Sequence, residues 1–233
     1  MIQLGEWMLG AAFGASVLTF LLAGAAAVRK DRALMDSAMR SMVATAFFTT
    51  VAAAGLLYAL LAGDYNLTYV WGHSDRDMST FYKIGAFWGG QEGSLLFWAL
   101  LLGFYATVVV VRHRRDRLEL MAPALATIAV IHAFFIGLNV FVASPFERIP
   151  DFIPPDGRGL NPLLQHPSMV IHPPSLYIGF VGMAIPFALA MGALISGRLD
   201  DEWIRKSRVW AVFAWIFLGA GNIIGGRWAY VEL

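Results

Sequence analysis

The chain has 233 residues, 58% of them hydrophobic and 14% charged, and seventeen Lys and Arg against sixteen Asp and Glu leave a formal net charge of +1. A soluble domain carries about 25% charged residues, so this chain lacks the polar surface a water-borne globule needs, and its near-neutral balance excludes a basic nucleic-acid-binding face. The absence of cysteine removes disulfides, thiolate metal sites and thiol nucleophiles.

A bilayer core about 30 Å thick is crossed by about 20 apolar residues rising about 1.5 Å each. Six stretches meet that requirement: residues 7–28, 42–62, 94–111, 121–143, 175–196 and 209–225. The pattern predicts an all-α fold, a polytopic transmembrane helix bundle of six spans. The first stretch has no basic residue ahead of it and a basic cluster behind it, which reads as a retained span rather than a cleaved signal peptide. The connector after span one carries Arg29, Lys30, Arg32 and Arg40. Those after spans three and five carry Arg112, Arg114, Arg115 and Arg117, then Arg198, Arg205, Lys206 and Arg208. Twelve of the seventeen basic residues therefore share one side. The positive-inside rule predicts that this side faces the cytoplasm and that both termini face outward.

The other two connectors, 63–93 and 144–174, are longer and different in kind. The first is aromatic and Gly-rich. The second holds most of the ten prolines, which fix φ and remove a donor, and so predicts a rigid, non-helical external lid. Chemistry is expected on this side.

Five histidines are candidates. His113 lies in an Arg-rich stretch and reads as part of an anchoring stop. His73 lies among Ser74, Asp75 and Arg76 and reads as a solvated loop residue. His132 lies mid-span, where an ionisable group is a functional hypothesis. The competing reading is a neutral imidazole bonded to a neighbouring helix's carbonyl. His166 and His172 each precede proline, which disfavours helix. His172 is therefore expected just outside the start of span five, with two readings open: an axial ligand to a porphyrin iron, or a helix cap. The run Trp88-Gly89-Gly90-Gln91-Glu92-Gly93-Ser94-Leu95-Leu96-Phe97-Trp98 also has two. Glu92 and Ser94 could cap span three and the tryptophans anchor at the interface. Alternatively, the glycines and rings form a floor for a flat aromatic ligand.

Three passages carry a resemblance. They are Trp88 to Leu96; Leu160-Asn161-Pro162-Leu163-Leu164-Gln165 leading to His172-Pro173-Pro174-Ser175-Leu176-Tyr177-Ile178-Gly179; and Gly225 to Leu233. At these residues the chain resembles the CcmF family, haem lyase subunits of cytochrome c maturation, within a wider haem-handling group. The resemblance covers the whole chain but about the first third of a family member, which implies that the sequence stops short. It implies that haem is handled, with His172 as a haem-iron ligand. Trp228, Tyr230 and Glu232 would lead into a Trp-rich haem-binding segment, with Trp88 and Glu92 as further haem contacts. The family's other haem histidines would lie past Leu233, and Arg227 stands where relatives often carry an aromatic or small residue. The implied partners are a CcmE-like haem chaperone, a CcmH-like subunit and an apocytochrome c with a Cys-X-X-Cys-His motif. The implied place is the bacterial inner membrane, with membrane lipid around it and the functional face periplasmic. Half of a transporter and a non-catalytic assembly scaffold are the alternatives.

Overall fold

The structure, a computed structural model, describes residues 2–150, 152–198 and 200–232, without the side chains of Ile2 and Glu232. Helices α1 (Ile2–Arg29) and α2 (Arg32–Ala62) form a hairpin on a two-residue link. Lys30 turns the chain with a left-handed φ of 53°. Asp31 then caps α2, its carboxylate accepting from the N–H groups of Ala33 at 2.8 Å and Leu34 at 3.4 Å. Two short helices follow, α3 (Thr68–His73) and α4 (Thr80–Gly85), then a single 3-10 turn at Ala86–Trp88. Next come α5 (Gln91–His113), α6 (Leu118–Phe141), α7 (Pro167–Gly182), α8 (Ala184–Ser196) and α9 (Glu202–Glu232). Taking α7 and α8 as one span, six helical segments of 23 to 31 residues among the described residues are long and apolar enough to cross a membrane.

Three helices run well past their apolar stretches, α2 among them, which starts at Arg32 rather than residue 42. Helix α7 starts at Pro167 rather than residue 175. Pro167 occupies the first helical position, where a missing N–H costs nothing, and His166 caps the helix by accepting the Ser168 N–H at 3.1 Å. His172 thus lies inside the helix, not outside its start. Pro173 and Pro174 each remove one hydrogen bond from the second turn without ending it. Pro186 likewise withholds a donor from the Gly182 carbonyl, and the span breaks there, at Met183, between α7 and α8. Helix α9 continues as helix through Glu232 instead of emerging at Gly225.

Helix α1 lies along α2 and α6, α5 against α2 and α6, α8 against α6, and α9 against α7. One apolar cluster, with Met35, Met42, Tyr105, Met121, Leu125 and Leu189, fills the end near the basic connectors. A second, with Leu56, Leu60, Tyr69, Phe87, Leu96 and Phe146, fills the other end. Helix α9 is the least covered, leaving Val212, Trp215, Ile216 and Ile223 exposed.

The connectors segregate as the charge count requires. Arg32 donates to the Asp116 carbonyl at 3.0 Å. Lys206 bonds the Asp116 carboxylate, and Arg117 meets Asp200 at 3.6 Å and Glu202 at 3.7 Å. All three basic connectors therefore meet at one end. Burial would raise the Asp116 carboxyl, but hydrogen bonds from Lys206 and His113 outweigh it and hold the group low.

At the opposite end the two long connectors clasp. The Thr68 N–H donates to the Glu147 carbonyl at 2.9 Å and the Ile149 N–H to that of Asn66 at 2.9 Å, around a bridge between Leu67 and Arg148. The Arg158 guanidinium lies 3.9 Å over the Trp71 ring. The Asp156 carboxylate accepts the Gly157 N–H at 2.7 Å and the Arg76 N–H at 3.0 Å. The Gly157 bond leads in holding this carboxyl below its ordinary value, and with the Arg76 N–H it outweighs the opposing desolvation. A depressed carboxyl stabilises the clasp above its unfolded value, about 3.9, and loses that contribution as pH falls below it. Amide exchange at residues 71–78, taken relative to its intrinsic rate at each pH, is expected to stay slow down to about pH 4 and quicken below it. Asp156→Ala should quicken it already at neutral pH; identical exchange in the variant would show that the carboxylate holds nothing.

Candidate functional site

The site is built where α7 and α9 meet. Their contact is close because small residues line it. A Cβ on Gly179 would stand 2.7 Å from the Ala214 carbonyl, and one on Gly221 would stand 2.8 Å from Leu176. Gly221 and Gly225, four apart, share a face of α9 and form the Gly-x-x-x-Gly spacing that lets membrane helices approach. His172 occupies the space they leave. A side chain on Gly225 would run into its ring.

The ring's Nδ1 lies 2.8 Å from the Gly221 carbonyl. A carbonyl only accepts, so Nδ1 carries the proton, and a neutral ring then presents the Nε2 lone pair. Metal-ligating histidines are oriented in this manner, with one ring N–H given to a backbone carbonyl. Here both the tautomer and the ring plane are set by α9.

Beside α7 lies an aromatic layer. Trp88 stacks on Phe97 at 5.5 Å, Phe97 meets the Tyr177 ring at 6.0 Å, and Tyr177 meets Trp98 at 5.4 Å. Ser94 Oγ donates to the Trp88 carbonyl at 2.9 Å and lies 3.3 Å from the Tyr177 hydroxyl. The layer ties the Gly-rich turn to the helix that carries His172. The cavity between Trp88, Leu160, Pro173 and Tyr177 measures about 130 Å³, below the about 300–1,000 Å³ of ligand pockets. A porphyrin therefore does not fit between these walls, and the aromatic residues act as a support behind α7.

The Gly-rich run folds for a packing reason. Tyr69, buried, places its hydroxyl 2.8 Å from the Ala86 carbonyl and 3.1 Å from that of Phe87, and accepts the Gly90 N–H at 3.1 Å. Burial pushes this phenol far above its usual value. Gly90, not Glu92 or Ser94, occupies the cap of α5, and no side chain bonds there. The backbone needs that position open because His73 lies against it: a Cβ on Gly90 would meet the His73 and Tyr69 rings. Glu92 is half-buried in the first turn of α5, and its carbonyl accepts from Asn139 Nδ2 at 2.9 Å.

The remaining candidates separate. Trp228 follows Gly225 by about one turn of α9, and its indole Nε1 is buried with no acceptor among the described residues; the same holds for Trp88 Nε1. Tyr230 is 91% exposed, being about 200° around the helix from Trp228. The side chain of Glu232 lies outside the described residues. His73 is not a solvated loop residue: it stacks on Tyr69 at 4.3 Å and gives Nδ1 to the Tyr69 carbonyl at 2.8 Å. His132 is wholly buried, with the hydroxyls of Ser16 at 2.8 Å and Thr49 at 3.4 Å, and it also bonds the backbone of Ala99 on α5, the neighbouring-helix contact expected of it. His113 lies 2.7 Å from Asp116. The seat of His172 on Gly221 and Gly225 is absent from the composition-based reading, although the Gly-x-x-x-Gly spacing was the available signal.

A family model described as cytochrome C assembly protein matches residues 88–233, which contain His172, its seat on α9 and the aromatic layer. The cytochrome c-type biogenesis protein CcmF of Pseudomonas aeruginosa is 40% identical over 205 residues, covering 88% of this chain and 31% of that protein. Its namesake in Escherichia coli is 38% identical over 236 residues, covering 100% and 36%. The biogenesis protein NrfE of Haemophilus influenzae is 33% identical, covering 99% and 36%. A solved structure, the cytochrome c haem lyase CcmF, superposes with a TM-score of 0.83 at 29% identity over 98% of this chain and 36% of its own. The chain spans about a third of the length of these relatives.

Proposed function

The chain belongs to the cytochrome c assembly protein family, and from that premise we propose that it is the haem-presenting part of a cytochrome c haem lyase. In this reading it lies in a bacterial inner membrane with the clasped connectors in the periplasm and the basic end in the cytoplasm. Haem is cargo. A CcmE-like chaperone delivers it, His172 Nε2 takes the iron on the outward part of α7, and a CcmH-like subunit brings the apocytochrome. Each thiol of the apocytochrome's Cys-X-X-Cys-His segment then adds its S–H across a vinyl double bond. The chain supplies no competing thiol, having no cysteine. Its own contribution is ligation and orientation, the terms a positioning protein provides.

The observation that carries this reading is the His172 Nδ1–Gly221 bond of 2.8 Å, which aims an imidazole lone pair and fixes it. The unpaired indole N–H of Trp228, one turn further out on the same helix, adds a donor for a polar haem edge.

Titration of ferrous haem into the detergent-purified protein, followed by the Soret band, tests the proposal. His172→Ala is expected to weaken binding at least about tenfold, about 1.4 kcal/mol. His166→Ala, a cap on the same helix, should bind as the parent does. A Soret band unchanged in His172→Ala would refute the assignment, as would a parent protein that gives no band.

A further inference from the structure

The basic end holds a second feature that haem handling does not use. A cavity of about 730 Å³ opens between α5 and α9, with Arg112, Arg205 and Lys206 at its rim and Phe104, Val209 and Phe213 lower down. The rim charges are not all satisfied. Lys206 is taken by Glu202 at 2.7 Å and by Asp116, and Arg117 by Asp200 and Glu202. Among the described residues Glu202 is the one carboxylate in the cavity wall, and it is already shared between Lys206 and Arg117. Arg112 and Arg205, both exposed, form no ion pair among the described residues.

The lower wall decides what kind of anion fits. Phe104 is 62% and Val209 65% exposed, and both belong to helices of membrane-crossing length, so this wall opens sideways into hydrocarbon. A soluble anion would leave it uncovered. Tyr105 and Trp210 also line it, with ring centroids 5.4 Å apart. A ligand with a phosphate above and an acyl chain below matches both halves, since basic grooves between spans take anionic head groups. We propose that this groove binds an anionic phospholipid, with Arg112 and Arg205 as the phosphate contacts and the acyl chain along Phe104, Val209 and Phe213.

Native mass spectrometry of the detergent-purified protein, offered equal amounts of phosphatidylglycerol and phosphatidylcholine, tests this. Retained phosphatidylglycerol is expected to exceed phosphatidylcholine, and inorganic phosphate should not displace it. Arg112→Gln with Arg205→Gln should cut the retained phosphatidylglycerol roughly tenfold through two lost charge-assisted contacts. Arg29→Gln with Lys30→Gln removes the same charge at the α1–α2 link and should leave it unchanged. Arg205→Gln alone, an exposed change, should give an intermediate loss and guards against misfolding of the pair. Equal retention of both lipids would overturn the assignment, and so would a double variant that still selects. Displacement by phosphate alone would reject it too. A groove filled by a further segment of a longer protein would show no selectivity and counts against it.

Discussion

Gly93→Ala is expected to lower the thermal midpoint of the protein by roughly 5–10 °C, a loss of about 2–3 kcal/mol for a chain of this size. The added methyl would stand 2.8 Å from Tyr69 Cζ and closer still to the Tyr69 hydroxyl and the Phe87 carbonyl. Neither group can retreat. The Phe87 carbonyl belongs to the 3-10 turn, whose neighbours Ala86 and Trp88 are held by Tyr69 and Ser94 through their own carbonyls. Overpacking against backbone is relieved only by moving an element, so the whole Gly-rich turn has to lift from α3. Gly10→Ala and Gly14→Ala are the controls. Nothing lies within 4 Å of either added methyl, and both positions are mid-helix in α1, where alanine is favoured. Fluorescence-detected melting in detergent distinguishes the cases. If Gly93→Ala melts with the controls, the tight packing assigned to the turn is wrong.

That turn marks where sequence reasoning reaches its limit. The six spans were legible because lipid imposes its own ruler, about 20 apolar residues, and α1, α2, α5, α6, α7 with α8, and α9 obey it. The segregation of Arg32, Arg117 and Lys206 to one end was legible because charges do not cross the hydrocarbon. The start of α7 was not. Two prolines in a row read as a helix boundary, and they are one in isolation, yet here a histidine cap and Pro167 begin the helix earlier and the second turn tolerates their missing donors. The aromatic rings at Trp88 and Trp98 were legible as a group, but whether they floor a ligand or back a helix depends on Tyr177, almost eighty residues on. His73 and Gly90 pose the same difficulty on a smaller scale. Each looks like loop on its own, and only their contact gives either a role. Composition and periodicity report what each segment meets on average; they do not report which partner meets it.

His172 and Gly225 form the pair with the sharpest consequence. Gly225→Ala should weaken ferrous haem binding about as much as His172→Ala does, because its methyl would occupy the space of the imidazole Cε1 and Nδ1. The ring would have to swing off α9 and give up the 2.8 Å bond to Gly221 that sets its tautomer. The same variant should also cost about 1–3 kcal/mol of stability by prising α7 from α9. With His172→Ala in place the obstruction is gone, so Gly225→Ala should then be nearly free. The two changes are expected to couple by about 1–2 kcal/mol, as contacting residues do. Haem binding, by contrast, should stay lost in the double variant, since the lone pair is gone. Gly226→Ala, next along the chain with nothing within 4 Å of its added methyl, should alter neither property. This cycle separates two roles that a single substitution confounds. Recovery of stability without recovery of haem assigns His172 to ligation and Gly225 to its seat. Strictly additive costs, or a Gly225→Ala protein that binds haem as the parent does, would mean that the helix contact and the ligand are unrelated.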